Sequence, residues 1–234
     1  RALRWTFVLA LHLASGFCCR LLDPPQRLRV ARNGRHRWLR PGELGGQASR
    51  AARFWDRFYS PELRSKEETE WIAAPMAILP FVKEVLHPRP QQILEIGCGD
   101  SCLSQELQQS LEGDVRIVAI DISEAALARG RGRLSASPRQ VEFVKADATD
   151  LGQLFANSSV DVVVDKGLAD TLQFRARTRE SRDLRQRLFK EVYRVLSPGG
   201  LYAMVTPKKQ PQYLHVVDWK SVNTTLLPQP NGIL

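Results

Sequence analysis

The sequence predicts an α/β domain with a doubly wound, mostly parallel sheet and helices on both faces. Three observations point there. From residue 54 onward, short apolar runs alternate with stretches of helical periodicity, the order expected of a parallel sheet with crossover helices. The stretch "ILEIGCGD", residues 93–100, sets two glycines one apart at the end of such a run, where doubly wound sheets bind ligands. No internal repeat or low-complexity tract competes with that pattern.

In chain order, "AARFWDRFYS" and "PMAILPFVKEVL" read as helical pieces, the second limited by its two prolines. "QQILEI" follows as a strand, "SCLSQELQQSL" as a helix and "VRIVAI" as the next strand. "SEAALARGRGRL" reads as a helix opened by Ser123, a side chain suited to accept the first free amides, with Glu124 in the first turn. "VEFVKA" and "VDVVVD" are short strands, "SRDLRQRLFKEVYRVL" a long amphipathic helix, and "GGLYAMVT" a strand after the turn "SPGG". The last stretch, from Tyr213, is expected to hold one more helix and one more strand, with a final edge strand beginning where the sequence stops.

At 234 residues and 43% hydrophobic, the chain has room for one domain of substantial core plus an extension. No stretch reaches the roughly 18 consecutive apolar residues of a membrane-spanning helix. The net charge of +9 suggests a nucleic-acid binder until it is located: residues 1–53 carry eleven Arg, no Lys, and only Asp23 and Glu43 as acids. The remainder is neutral, with 23 basic and 23 acidic residues, so the basicity is poor evidence that the folded domain grips phosphate backbones.

Residues 1–50 read as a targeting leader and residues 51–234 as the domain. "RALRWTFVLALHLASGFCC" has the layout of a secretory signal, and the Arg-rich, nearly acid-free stretch after it that of a transit peptide. The pair is similar to the two-part presequences of complex plastids, with a mitochondrial presequence as the nearest competitor, so a plastid or mitochondrion is the expected destination and the cytoplasm the alternative. An N-terminal helix packed on the domain is the plainer reading of the same residues. Of four cysteines, Cys18 and Cys19 fall in the leader and Cys98 and Cys102 at the glycine loop, with no second pair or His cluster at zinc spacing. A reduced protein without structural metal is expected.

The glycine loop narrows the ligand. A dinucleotide loop would continue with a third glycine where Cys102 stands, and the Gly-Lys-Ser/Thr of a phosphate-binding loop is absent. "VRIVAID" ends in Asp121, placed to accept two hydrogen bonds from a ribose diol, and "FVKAD" puts Asp147 and Ala148 in reach of an adenine edge. Each acid alone reads more readily as a turn or cap residue. Together they describe an adenosine pocket without a phosphate cradle.

In this order and spacing the residues resemble the class I S-adenosylmethionine-dependent methyltransferases, whose first motif has the form acid-x-Gly-x-Gly. The resemblance implies a Rossmann-like methyltransferase fold and S-adenosyl-L-methionine as cofactor. It assigns Glu95, Gly97, Cys98 and Gly99 to the first motif, with Cys98 as a small filler, Asp121 and Ile122 to the ribose, and Asp147 and Ala148 to the adenine. At the fourth strand, "VVVDKGLADTL" resembles the subgroup that methylates lysines in proteins, including a translation elongation factor and mitochondrial citrate synthase. "TEW", with Glu70 and Trp71, and the helix "FWDRFY" are similar to its other marks, and the resemblance runs from about Phe54 to Leu227. It departs where Ile72, Ala73 and Ala74 replace the aromatics that usually follow the Trp.

On that resemblance, Asp165 is expected to hold the acceptor amine beside the cofactor, Trp71 to wall the channel with its π face, and Glu70 to make a weaker contact of the same kind. Lys166 is expected to be structural or a surface charge, Asp170 solvated, and the basic run Arg175–Arg187 the wet side of a helix. Three functions compete: a protein-lysine methyltransferase with a protein substrate, a methyltransferase acting on a small molecule or RNA, and a binding module without turnover.

Overall fold

The structure is a computed structural model and describes residues 7–12, 48–62, 70–85, 90–133, 141–174, 179–207, 214 and 216–226. The element order is β1 (Phe7–His12), α1 (Ala48–Phe58), α2 (Pro75–Val85), β2 (Gln92–Ile96), α3 (Leu103–Ser110), β3 (Arg116–Asp121) and α4 (Glu124–Gly132), then β4 (Glu142–Lys145), β5 (Val160–Lys166), α5 (Leu168–Phe174), α6 (Arg179–Val195), β6 (Leu196–Thr206) and β7 (Ser221–Leu226). The strands form one sheet in the order β4-β3-β2-β5-β6-β1-β7, and every pairing is parallel. The expected doubly wound α/β fold is therefore the one observed.

Strand residues alternate between two cores, as the period of two in a strand requires. Ile93, Ile117, Ala119, Val162, Val164, Ala203 and Val205 face Ile78 and Val82 of α2, Leu103 and Leu107 of α3, and Leu127 of α4. Leu94, Ile96, Val118, Ile120, Val163, Tyr202 and Met204 face Ala169 of α5 and Leu188, Phe189, Val192 and Val195 of α6. Both faces are dry because parallel strands need crossover helices, and the crossovers cover the sheet.

Details differ from the expectation in three places, the first being α5, a short helix where none was expected. Strand β6 begins at Leu196, paired with Val160, and its register to β5 shifts before pairing resumes between Val162 and Leu201, so the turn "SPGG" is a bulge inside the strand. Phe7–His12, inside the segment expected to be a leader, lies between β6 and β7 and is the strand that joins β7 to the sheet. Residues 13–47 lie outside the described residues, as does part of the further helix expected after Tyr213.

The crossovers place all strand carboxyl ends on one edge, and α1 crosses that edge. Phe54, Trp55, Phe58 and Tyr59 cluster, with the Trp55 and Tyr59 rings stacked at 6.0 Å and those of Trp55 and Phe58 edge-on at 5.2 Å. Asp56 of the same helix accepts from the Ser123 hydroxyl at 2.8 Å and the Ala125 amide at 3.1 Å. It thereby satisfies an amide at the head of α4 that has no partner within the helix.

Leu107, fully buried in the first core, is expected to cost about 2–5 kcal/mol when cut to Ala, because the cavity collapses only in part. Urea denaturation should show that loss, whereas exposed Lys190→Ala should stay within about 0.5 kcal/mol of the parent.

Candidate active site

At the end of β2 the chain turns through Gly97 and Gly99, whose φ values of 63° and 57° are in the left-handed region that favours glycine. The loop is tied to its neighbours by backbone and carboxylate: the Cys98 amide donates to the Ile120 carbonyl at 3.0 Å, and the Gly99 amide to Asp121 Oδ2 at 2.9 Å. Asp121 Oδ1 accepts from the Ser123 amide at 2.8 Å, so one carboxylate fastens both the glycine loop and the turn into α4. From the far side Arg129 pairs with Asp100 at 3.0 Å, and Arg133 donates to the Asp100 and Ser101 carbonyls at 2.7 and 3.0 Å.

The same device recurs along the edge. Asp147 accepts from the Thr149 amide at 2.8 Å and its hydroxyl at 2.9 Å. Asp165 accepts from the Leu168 and Ala169 amides at 2.7 and 3.1 Å, and from the Tyr202 hydroxyl at 2.7 Å. Glu95, on the α3 side of β2, accepts from the Ser104 hydroxyl through Oε2, while its buried Oε1 has no hydrogen-bond partner among the described residues. Burial dominates the electrostatics of these acids. It pushes the Asp121 carboxyl up to about 6 and those of Asp165 and Glu95 up to about 7, against the hydrogen bonds that favour their ionised forms. Asp147 is raised too, for the same reason. Burial also pushes the Cys98 thiol up, which suits a packing residue rather than a nucleophile.

A strap, residues 70–74, lies beside the loop. Glu70 accepts from the Ser101 hydroxyl at 3.1 Å and the Cys102 amide at 3.2 Å, at the head of α3, and pairs with Lys166 Nζ at 2.5 Å. A side-chain carboxylate thus occupies the helix N-terminus where a phosphate-binding loop would seat its anion. Ile72 has φ 68°, and the Ala73 amide donates to the Trp71 carbonyl at 2.7 Å. This is a three-residue turn that a β-branched residue adopts only under strain, on the order of 1–3 kcal/mol. Trp71 packs edge-on against Trp55 at 6.0 Å and at a 47° tilt against Phe58 at 5.7 Å.

The edge brings together Glu95, Gly97, Cys98, Gly99, Asp121 with Ile122, and Asp147 with Ala148, on the ends of three adjacent strands. Three other residues are located, and for Asp170 the expectation is corrected. Asp165, expected to hold the acceptor amine, is wholly buried with both oxygens engaged, and acts as the cap of α5. Asp170, expected to be solvated, is 3% exposed. Of the two expectations for Lys166 the structural one is the one observed, since its side chain is 3% exposed in an ion pair. Sequence reasoning gave no role to Tyr59, whose hydroxyl lies 2.7 Å from where a Cβ on Gly99 would stand, or to the carboxylate of Asp56. A usable signal was present: a lone acid three residues before a Tyr, on one face of an Arg-rich aromatic helix.

Comparison with known proteins agrees with this geometry. A family model described as a methyltransferase domain matches residues 89–230. The chain is 32% identical over 155 residues to the eEF1A lysine and N-terminal methyltransferase of Bos taurus, covering 65% of this chain and 21% of that protein. It is 25% identical over 194 residues to the human mitochondrial citrate synthase-lysine N-methyltransferase, covering 76% of this chain and 79% of that one. The chain thus spans about a fifth of the length of the elongation-factor methyltransferases it matches. A solved structure described by the conversion of a disulfide bond into a thioacetal group during echinomycin biosynthesis shares the fold, with TM-score 0.50 and 20% identity over 65% of this chain and 60% of that one.

Because Asp121, Asp165 and Glu95 have folded-state values raised above those of an unfolded chain, the folded protein holds more protons than the unfolded one between about pH 4 and pH 7. Their contribution to stability is largest at the acid end of that window and is lost as pH rises through the folded values. The melting temperature is expected to rise as pH is lowered from 8 to 5, and Asp165→Asn should flatten the profile; a melting temperature that falls over that range would contradict it.

Proposed function

The chain belongs to the methyltransferase-domain family, and we propose that it transfers the methyl group of S-adenosyl-L-methionine to a lysine side chain of a protein. One observation carries the donor assignment: Asp121 stands at the end of β3 with one carboxylate oxygen on the Gly99 amide, which couples a ribose acceptor to the backbone that would face the methionine. Each oxygen keeps a further lone pair for a diol. Left-handed Gly97 and Gly99 carry no Cβ, which lets Leu168 and the Tyr59 hydroxyl close on the loop, and the head of α3 is filled by Glu70 rather than left open for a diphosphate. The residues therefore fit a nucleoside without phosphates. Gly97 and Gly99 would hold its methionine part, Asp121 and Ile122 the ribose, and Asp147 and Ala148 the adenine.

The donor supplies an electrophilic methyl group on a sulfonium, so alignment accounts for much of the acceleration. A lysine amine titrates near 10.4 in water and must be neutral to attack. With Asp165 enclosed, the residues for that task are on the roof: Trp55, Phe58, Tyr59 and Trp71 form an aromatic wall that excludes water and disfavours the ammonium, and Trp71 offers a π face to the amine as it becomes charged. Glu70, tied to Lys166 and α3, positions Trp71. The lysine reading is supported by relatives named for lysine methylation, and by a residue 54–234 region whose charges balance. We place the protein in an organelle, plastid or mitochondrion, on the composition of residues 1–50. Cleavage of that leader would remove β1, the strand that joins β7 to the sheet.

Calorimetry with S-adenosylmethionine on the full chain is expected to show binding that Asp121→Ala and Asp121→Asn each weaken at least about tenfold, since hydrogen bonds to an ionised group are worth roughly 1.5–3 kcal/mol. Tritiated methyl should enter a protein band that survives nuclease. Label lost to nuclease or confined to small molecules would assign a different acceptor, and a folded chain that binds no donor would remove the enzyme reading.

A further inference from the structure

Lys166 sits in "DKG" and Glu70 in "EW", 96 residues apart, and the two side chains meet at 2.5 Å. Lys166 Nζ also donates to the Trp71 carbonyl at 3.2 Å, the same oxygen that accepts from Ala73 across the strained turn at Ile72. Glu70 carries the link onward to Ser101 and Cys102, directly behind the glycine loop. On the third side, a Cβ on Gly167 would come within 2.7 Å of Ile72 Cδ1, so the glycine of "DKG" leaves the space into which Ile72 is pressed. The strained turn is thus pinned by the end of β5, by the head of α3 and by Gly167, whose own φ of 93° favours glycine and whose missing Cβ makes room for Ile72.

From this juxtaposition we propose that Lys166 and Glu70 form a clasp that holds the Trp71-Ile72-Ala73 turn shut beside the donor loop, and that opening of this clasp sets the rate at which donor and demethylated product leave. The inference rests on the methyltransferase reading above. Its physical basis is that the closed turn has two opposing terms. Ile72 at positive φ favours release, and a buried ammonium that would lose its carboxylate opposes it. The two ends of the pair differ in wetness, with the Lys166 side chain 3% and that of Glu70 22% exposed. Glu70 is therefore the partner that can swing to water, while Lys166 stays fixed on its strand. An element held by strain on one side and an ion pair on the other has two discrete positions rather than a continuous range. Trp71 moves with it, because its carbonyl is one of the atoms Lys166 holds. Lys166, Glu70 and Ile72 are positioning residues in this scheme.

The test uses the full chain with Lys166→Met, Lys166→Arg, Ile72→Gly and the double variant Lys166→Met with Ile72→Gly. Hydrogen exchange at residues 71–74 needs no ligand, and stopped-flow dissociation of S-adenosylhomocysteine reads the site. Lys166→Met is expected to raise exchange in 71–74 and to speed release, each about tenfold, with β2 and β3 unchanged, because the fastening is lost while the core is not. Lys166→Arg should restore part of both. Glycine takes φ 68° without strain, so Ile72→Gly alone should slow release, and in the double variant it should return release toward that of the parent. A folded Lys166→Met with parental exchange, or with raised exchange and parental release, overturns the proposal. Should Lys166→Met fail to fold, Ile72→Gly decides alone, and unchanged or faster release overturns it. A parent that binds no S-adenosylhomocysteine would overturn the donor reading and the release half of this proposal, and the exchange result would then decide the clasp by itself.

Discussion

A parallel sheet that ends on one edge leaves a row of turn amides with no strand partner, and in this protein acids at the strand ends accept from them. Asp121 takes the Ser123 amide, Asp147 that of Thr149, and Asp165 those of Leu168 and Ala169. A buried amide without an acceptor is costly, so these carboxylates are required for the loops to turn as they do. The position of the glycine loop follows from the same rule, since Asp121 spends its second oxygen on Gly99. The site is therefore an outgrowth of how the fold satisfies its own backbone.

Meeting that need by burial leaves the acids electrostatically expensive. Asp165 is the extreme case, with three donors and no exposure, and it still titrates near 7 because desolvation outweighs the bonds. Such a group is held in place by its neighbours. Asp121 differs in degree: it has two amide donors, a value near 6, and 9% exposure at the rim of the edge. That difference in enclosure leaves Asp121 nearer the rim of the edge than Asp165.

The roof follows a second physical logic. Helix α1 is fastened through Asp56 to the head of α4 and sets Tyr59 over Gly99, while the strap is fastened through Glu70 to Lys166. Between them, Trp55, Phe58 and Trp71 form a continuous aromatic contact. The segments that precede the first strand of the glycine loop are thus held to the carboxyl edge of the sheet by Asp56 and Glu70 and by aromatic packing between them. The three residues of "DKG" divide the labour: Asp165 caps, Lys166 fastens, and Gly167 makes room.

Except for β1 and α5, the order of elements, the parallel sheet, the two-faced core and the glycine loop were legible in the sequence, because strand period, helix period and positive-φ glycines are local properties that neighbouring residues decide. The acids at the strand ends were legible as positions for the same reason. Their roles were not. Asp165 and Asp170 read as available, and Lys166 as structural or a surface charge, because solvent exposure depends on which distant segments pack on top. A Lys ending a valine-rich strand that is mostly buried was a sign that a partner acid must exist, though not which one. By itself the sequence determined the scaffold and the line of glycines and carboxylates along its edge. Only the tertiary structure decided that Glu70 meets Lys166, that Ile72 is forced into a strained turn against Gly167, and that Asp165 is closed off. Those outcomes depend on contacts between residues far apart in the chain, which no local pattern encodes.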